Sequence, residues 1–263
     1  MTAYPEFEMI RVESEAGGLR RLILDDPDKR NAIGPTMRDE MATATALLAA
    51  DEEAKCLIVA GEGKAFCAGA DLLAIFEAED DSPSRMRGRQ LSYYQSFLGL
   101  RDLEFPTVAA VDGAAIGAGL NLALVCDVNI AGPRARYGAT FSKLGLHPGG
   151  GCTYFLTRAM GPGRALFALL RGAVLDGREA FDLGLADHYA EDALAAAEEW
   201  AAEVVALDPG LVRDMKKSVA IAAESSFEAT VGIEAWAQTA SAYNPGVKED
   251  IRAAGRSTRS RRP

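Results

Sequence analysis

Two glycine-containing turns, each placed directly after a run of small and β-branched residues, constrain this chain more than any other feature of its sequence. The first run is Leu57–Ala60, and the segment GEGKAFCAGADL (61–72) follows it. The second run is Thr107–Val111, and the segment DGAAIGAGLNLALVCD (112–127) follows it. Strand, small-residue turn and helix therefore recur in the same order, which predicts an α/β fold built on a sheet with helical crossovers.

The remaining pattern extends this prediction along the chain. Further strands are predicted at 8–12, 19–24 and 127–131, and helices from Pro35 onward and over 86–103. Beyond residue 159 the pattern is mainly helical, with Asp208 and Pro209 predicted as the N-cap and the first residue of a helix. The last part of the chain is therefore predicted to be a small helical domain or an oligomerisation element.

The charge balance excludes several classes of function. The 263 residues include 28 Lys and Arg against 38 Asp and Glu, a formal net charge of −10, which argues against a nucleic-acid-binding protein. The basic cluster of the C-terminal tail is predicted to be solvated; it consists of Arg256, Arg259, Arg261 and Arg262. No apolar run reaches the roughly 18 residues of a membrane span, and the N-terminus lacks the apolar core of a signal peptide. A cytoplasmic protein without a membrane partner is therefore expected. A metal site is not expected, because the chain has only two histidines, far apart in sequence, and its cysteines show no CxxC spacing.

The two turns have both a structural and a chemical interpretation. A single Gly-Ala turn after a buried strand usually serves only close packing of a helix on a sheet. Two such turns side by side could instead direct two backbone N–H groups at one oxygen atom, which is the arrangement of an oxyanion hole. A dinucleotide-binding loop is disfavoured, because the motif that begins at Gly117 lacks its third glycine and Asp127 follows too closely.

Four segments, taken together, indicate a protein family much more specifically than either turn alone. They are DDPDKRNAI, KAFCAGADL, FPTVAAVDGAAIGAGLNLALVCDVNIAG and KLGLHPGGGCTYFLTRAMG. In order and spacing the chain resembles the crotonase (enoyl-CoA hydratase/isomerase) superfamily from about Arg11 to about Trp236. The resemblance implies a ClpP/crotonase-type fold of repeated ββα units over residues 1–195, and a helical C-terminal region at 196–263 that mediates a homotrimer or a dimer of trimers.

The resemblance also implies which atoms meet the substrate, an acyl-CoA thioester. The N–H groups of Ala70 and Ala118 would hold the thioester carbonyl oxygen, on which an enolate develops negative charge. The groove for the CoA part would be lined by residues of the two neighbouring segments, namely Arg30, Ala32, Ala68, Ala70, Asp71 and Leu72. Asp71 is also expected to accept backbone N–H groups at the start of the following helix. No cofactor is expected beyond the coenzyme A of the substrate.

The chain departs from the family pattern at the two positions where hydratases carry glutamates. Asn121 and Phe141 occupy these positions. Neither an amide nor a phenyl ring titrates near neutral pH, and each general acid–base contribution is worth roughly 10²–10⁴-fold in rate. Ordinary hydration is therefore expected to be very slow, and the apolar side chain of Phe141 favours a hydrophobic acyl group.

His147 is the candidate that could replace the missing carboxylates. It lies in the segment LHPGG (146–150), and histidine can act as a base near neutral pH. The alternative is that His147 only packs or caps beside Pro148. Two functions therefore stay open: an enzyme of the enoyl-CoA hydratase/isomerase class that stabilises a thioester enolate, or a catalytically silent acyl-CoA carrier or sensor with the same fold.

Overall fold

The computed structural model describes residues 2–76, 82–244, 246–248 and 251, and the chain divides into two compact units, 1–206 and 207–263. The helix Ala193–Val205 packs on strands of the first unit and therefore belongs to it. The boundary between the units thus lies after this helix, later than the predicted boundary after residue 195. The basic tail at 256–262 lies outside the described residues. Within the described part of the chain, no helix is both long and apolar enough to cross a bilayer.

Six strands form the main sheet of the first unit. In sheet order they are β1 (Ile10–Ser14), β2 (Leu19–Leu24), β3 (Cys56–Gly61), β5 (Thr107–Val111), β7 (Val128–Ala131) and β10 (His188–Tyr189). β1 and β2 are antiparallel, and the other neighbours are parallel. The runs that predicted β3 and β5 are buried, as expected for central strands with both faces covered. β1 begins later than predicted, because the backbone N–H groups of Glu8 and Met9 donate to the Glu40 carboxylate instead.

A second, smaller sheet was not predicted. It contains β4 (Ala65–Cys67), β6 (Ala114–Ile116), β8 (Arg136–Gly138) and β9 (Val174–Asp176), in that order. β6 runs parallel to β4 and β8, whereas β9 is antiparallel to β8. β4 and β6 lie inside the two glycine-containing segments, so the turns of interest follow strands of this second sheet.

Helices complete the repeating pattern of two strands and a helix. In the first unit they are α1 (Pro35–Ala49), α2 (Leu72–Phe76), α3 (Pro83–Leu98), α4 (Ala118–Val125), α5 (Cys152–Met160), α6 (Pro162–Arg171), α7 (Gly177–Asp182) and α8 (Ala193–Val205). The second unit contains α9 (Pro209–Ala222) and α10 (Phe227–Ala242). Pro35 is the first residue of α1, and Asp208 caps α9 by accepting from the N–H of Leu211 at 2.8 Å, as predicted. The predicted helix at 86–103 is α3 followed by a 3₁₀ turn at Gly99–Asp102.

A buried ion pair fastens the start of the chain to the first unit. Asp51, only 8% exposed, accepts from Arg20 Nε at 2.7 Å, from the Tyr4 hydroxyl at 2.6 Å and from Thr2 Oγ1 at 2.9 Å. Burial acts to raise the pKa of Asp51, but these hydrogen bonds outweigh it and lower the pKa to about 2. The ionised form of Asp51 is therefore stabilised by folding.

This shift predicts a specific acid sensitivity. The folded-state pKa of Asp51 lies below its ordinary value of 3.8, so its contribution is complete above that value and is lost as the pH falls through about 2. Between pH 5 and pH 2 the loss is expected to be about 2 kcal/mol, at 1.36 kcal/mol per pKa unit. Urea unfolding across this pH range should show a shallower decline for Asp51→Asn than for the unaltered protein. Parallel declines would contradict the assignment.

Candidate active site

The two predicted turns lie against each other at the ends of β4 and β6. After Cys67 the chain turns through Ala68 and Gly69, and after Ile116 it turns through Gly117. Gly69 has a φ of +107°, and a Cβ atom there would lie 2.6 Å from the carbonyl oxygen of Ile116. Only glycine permits both this backbone conformation and this close approach.

A second glycine contact fixes the same arrangement from the other side. A Cβ atom on Gly119, in the first turn of α4, would lie 2.1 Å from the carbonyl oxygen of Cys67. The start of α4 is therefore packed directly on the end of β4. The glycines of the two segments bring the turns together, as the sequence predicted.

Two backbone amides lie at this junction of the two turns, those of Ala70 and Ala118. Ala118 is the first residue of α4, and the first N–H groups of a helix have no acceptor within the helix. Its nitrogen lies 3.7 Å from the Cβ position of Gly69, the residue that precedes Ala70. Within the described residues, neither Ala70 N–H nor Ala118 N–H donates to a protein acceptor. Both amides are thus available to a ligand.

A cavity of about 410 Å³ opens beside these two amides. Most residues that line it are apolar, and they come from the two turns at 68–70 and 116–117, from α2, α3 and α4, and from the loop at 140–149. The predicted site residues among them are Ala68, Ala70, Leu72, Ala118, Asn121, Phe141 and His147. The structure therefore brings together all five residues predicted for catalysis and three of those predicted for CoA binding.

The other three predicted residues lie next to this cavity rather than on its wall. The Arg30 carbonyl accepts from the N–H of Ala68 at 2.9 Å, so this segment supports the first turn through its backbone. Ala32 is half-buried on the same segment. Asp71 Oδ1 accepts from the N–H of Ala74 at 3.3 Å, which is the expected cap of α2. Asp71 also lines a small neighbouring cavity of about 40 Å³.

Asn121 lies deep in the wall and is only 1% exposed. Its Nδ2 donates to the carbonyl oxygen of Gly149 at 2.8 Å, which connects α4 to the loop that carries His147. This bond orients the amide and makes Oδ1 the remaining acceptor. Oδ1 is buried, and no donor among the described residues reaches it.

Phe141 forms an apolar part of the wall. It is half-buried in the 3₁₀ turn Thr140–Leu144, and its Cζ lies 3.9 Å from the Cβ position of Gly117. The phenyl ring therefore lies close to the start of α4. A side chain without polar atoms at this position can exclude water but cannot exchange protons with it.

His147 lies at the exposed edge of the cavity. Its Nδ1 lies 2.7 Å from the carbonyl oxygen of Pro148. A carbonyl oxygen can only accept, so the ring proton of the neutral imidazole resides on Nδ1 and the lone pair resides on Nε2. The predicted capping contact beside Pro148 is present, and it leaves Nε2 as a basic atom.

The sequence analysis missed the contribution of α3 to the cavity. Gln90, Tyr93 and Tyr94 of this helix line the wall. The half-buried Tyr94 hydroxyl accepts from the backbone N–H of Gly150, and its pKa is raised by burial, which that hydrogen bond partly offsets. A signal for these residues exists in the adjacent pair Tyr93-Tyr94, because two neighbouring large aromatic side chains in a helix need a surface to pack on.

The chemistry of the wall is limited to neutral groups and one imidazole. None of the described residues that line the cavity carries a carboxylate. In the described ranges, no group of three or more His, Cys, Asp or Glu side chains could hold a metal ion. The arrangement can therefore polarise a carbonyl group with backbone amides and accept a proton on His147.

Known proteins of one family resemble this chain over most of its length. The sequence profile of the enoyl-CoA hydratase/isomerase family matches residues 14–253. A probable enoyl-CoA hydratase of Mycobacterium tuberculosis is 43% identical over 209 residues, which cover 80% of this chain and 77% of that protein. Human mitochondrial methylglutaconyl-CoA hydratase is 34% identical over 193 residues, which cover 73% of this chain and 56% of that protein.

Solved structures show the same fold. An enoyl-CoA hydratase from Polaromonas superposes with a TM-score of 0.84 at 28% identity, covering 93% of this chain and 95% of that one. An enoyl-CoA hydratase homologue from Thermobifida fusca, in complex with CoA, gives a TM-score of 0.80 at 30% identity and covers 88% of this chain and 92% of that one. The predicted ClpP/crotonase-type fold of ββα units is therefore confirmed.

Proposed function

This chain belongs to the enoyl-CoA hydratase/isomerase family, and from that membership we propose that it binds an acyl-CoA thioester and stabilises its enolate. The thioester carbonyl oxygen is held by the N–H groups of Ala70 and Ala118. The acyl chain occupies the cavity of about 410 Å³. The CoA part follows the segments that contain Arg30, Ala32 and Ala68–Leu72, and the reaction needs no cofactor beyond this CoA.

One observation carries the proposal: Ala70 and Ala118, whose amides have no protein acceptor among the described residues, line the same mainly apolar cavity. When a thioester loses an α-proton, negative charge develops on its carbonyl oxygen. Amides that already point at this oxygen stabilise the charge without reorganisation, and one such donor is typically worth about 10²–10³-fold in rate. This stabilisation depends on the backbone alone, so the replacements at Asn121 and Phe141 leave it intact.

The proton is accepted by His147 in this proposal. Nε2 takes a proton from the α-carbon, the C–H bonding electrons move into the C–C bond of the enolate, and the carbonyl oxygen gains the charge. Return of a proton from His147 to the carbon completes a cycle without net loss or gain of atoms. Hydration needs in addition a group that activates water. The lack of a carboxylate among the described lining residues supports slow hydration.

Hydrogen–deuterium exchange at the α-carbon tests this function directly. The protein is incubated with butyryl-CoA in D₂O, and mass spectrometry of the thioester follows the gain of one or two deuterium atoms. Exchange well above the rate without protein is expected, whereas crotonyl-CoA in the same assay is expected to gain water only very slowly. Rapid hydration of crotonyl-CoA would contradict the proposal.

The same lack of carboxylates favours a second candidate, a catalytically silent acyl-CoA carrier or sensor. This protein would bind butyryl-CoA with measurable heat in calorimetry and would cause no deuterium exchange. Absence of binding at millimolar concentration would exclude both candidates.

A homotrimer or a dimer of trimers remains a prediction. Within the second unit, Phe227 and Trp236 of α10 are 78% and 79% exposed, and Val219 of α9 is 71% exposed. Burial of such apolar side chains between subunits would favour assembly. Light scattering at micromolar concentration is expected to give three or six times the chain mass of 27.9 kDa, and a stable monomer would contradict the prediction.

A further inference from the structure

The peptide group between Gly149 and Gly150 is hydrogen-bonded at both of its polar ends by side chains from two different helices. The Gly149 carbonyl accepts from Asn121 Nδ2 on α4 at 2.8 Å. The Gly150 N–H donates to the hydroxyl oxygen of Tyr94 on α3. A peptide group is planar, so holding its carbonyl and its N–H together fixes the orientation of the whole unit.

The same two side chains also pack closely on this peptide group. A Cβ atom on Gly149 would lie 2.2 Å from the Tyr94 hydroxyl oxygen. A Cβ atom on Gly150 would lie 2.7 Å from Asn121 Nδ2. The two glycines therefore let Asn121 and Tyr94 approach the backbone closely enough to form both hydrogen bonds.

The segment around this peptide group has little other support. Residues 147–150 belong to no helix or strand. Besides Asn121 and Tyr94, the Cys152 N–H is the one described group outside the segment that is hydrogen-bonded to it, at 3.3 Å from the Gly149 carbonyl. The conformation of this segment therefore depends mainly on the side chains of Asn121 and Tyr94.

His147 takes its place in the site through this segment. Its Nδ1 lies 2.7 Å from the carbonyl oxygen of Pro148, and the described residues offer the ring no other hydrogen bond. The ring lies at the exposed edge of the cavity, and Pro148, whose φ is restricted, connects it to the Gly149–Gly150 peptide group. A change in the orientation of that peptide group would thus move the Pro148 carbonyl and the imidazole with it.

We propose that Asn121 and Tyr94 are positioning residues for His147, which hold its Nε2 at the cavity wall for proton transfer. This inference rests on the proposed role of His147 as the proton acceptor. Neither positioning residue exchanges a proton in it, because the Asn121 amide donates to the backbone and the Tyr94 hydroxyl oxygen accepts from it.

Replacement of either side chain should slow α-deuterium exchange of butyryl-CoA. Tyr94→Phe removes the oxygen that accepts from the Gly150 N–H, and Asn121→Leu removes the donor to the Gly149 carbonyl. Each variant is expected to lower the exchange rate by about tenfold or more, because a misplacement of about 1 Å can cost about 10²-fold. Calorimetry of Tyr94→Phe should give a Kd for butyryl-CoA within about twofold of the unaltered value, since a base acts mainly on the transition state.

A double-mutant cycle tests whether the effect passes through His147. In the His147→Ala background, Tyr94→Phe is expected to change the remaining exchange by less than about twofold, because no imidazole is left to position. A general structural effect of the Tyr94 hydroxyl would instead lower exchange by the same factor in both backgrounds, and that result would overturn the inference.

Tyr154→Phe is the matched control. The Tyr154 hydroxyl accepts from Arg101 at 3.4 Å, and the residue is not among those that line the cavity, so exchange should stay unchanged. Unchanged exchange in Tyr94→Phe or in Asn121→Leu would overturn the inference while leaving the proposed function intact. Undiminished exchange in His147→Ala, or no exchange by the unaltered protein, would overturn the proposed proton transfer itself and this inference with it.

Discussion

Ala118→Pro is expected to slow α-deuterium exchange of butyryl-CoA by about 10²–10³-fold, the effect of losing one oxyanion donor. Proline lacks the backbone N–H, and Ala118 is the first residue of α4, where proline is tolerated because that N–H has no acceptor within the helix. The substitution therefore removes one hydrogen atom that the proposed mechanism needs and leaves the hydrogen bonds of the helix in place. Mass spectrometry of the thioester in D₂O measures the rate.

Ala118→Gly is the matched control for this variant. This substitution also changes the side chain, but it keeps the N–H group. Exchange should therefore remain within about threefold of the unaltered rate, because glycine at the start of a helix changes its stability only slightly. Thermal unfolding of both variants checks that the first unit stays folded. Equal exchange rates for Ala118→Pro and the unaltered protein would show that this amide does not stabilise the enolate.

The sequence was informative about this site because its main signals are local. A buried strand followed by small residues predicts a close turn, and the structure places Gly69 and Gly119 where a Cβ atom would collide with the neighbouring segment. The N-cap at Asp208 and the cap at Asp71 are likewise readable, since capping involves residues within one helical turn. The close turns could therefore be predicted from the small residues in each segment, and the caps from residues near in sequence, without the structure.

Other features depend on contacts that are distant in sequence. The strands β4, β6, β8 and β9 have three residues each, which is too short for an alternating pattern, so the second sheet could not be recognised. Tyr94 reaches the site only because α3 packs beside the loop at Gly149 and Gly150. The hydrogen bond between Asn121 and Gly149 spans 28 positions, so its role in holding the His147 loop needed coordinates.

His147→Ala is expected to have the largest effect on exchange, a loss of about 10²–10⁴-fold, which is typical for removal of a general base. The hydrogen bond between His147 Nδ1 and Pro148 directs the lone pair to Nε2, and no described residue in the cavity wall carries a carboxylate that could replace it. Alanine cannot accept a proton, whereas the amides of Ala70 and Ala118 would still bind the thioester. Calorimetry should therefore give an affinity for butyryl-CoA within about twofold of the unaltered protein, because the imidazole acts mainly on the transition state.

The chain offers a clean control, because His188 is its one other histidine. His188 is exposed on β10, where it pairs with Ile130 of β7, and it does not line the cavity. His188→Ala should therefore leave exchange unchanged. Loss of exchange in both variants would point to a general structural effect. Undiminished exchange in His147→Ala would contradict the assignment of His147 as the group that takes the α-proton.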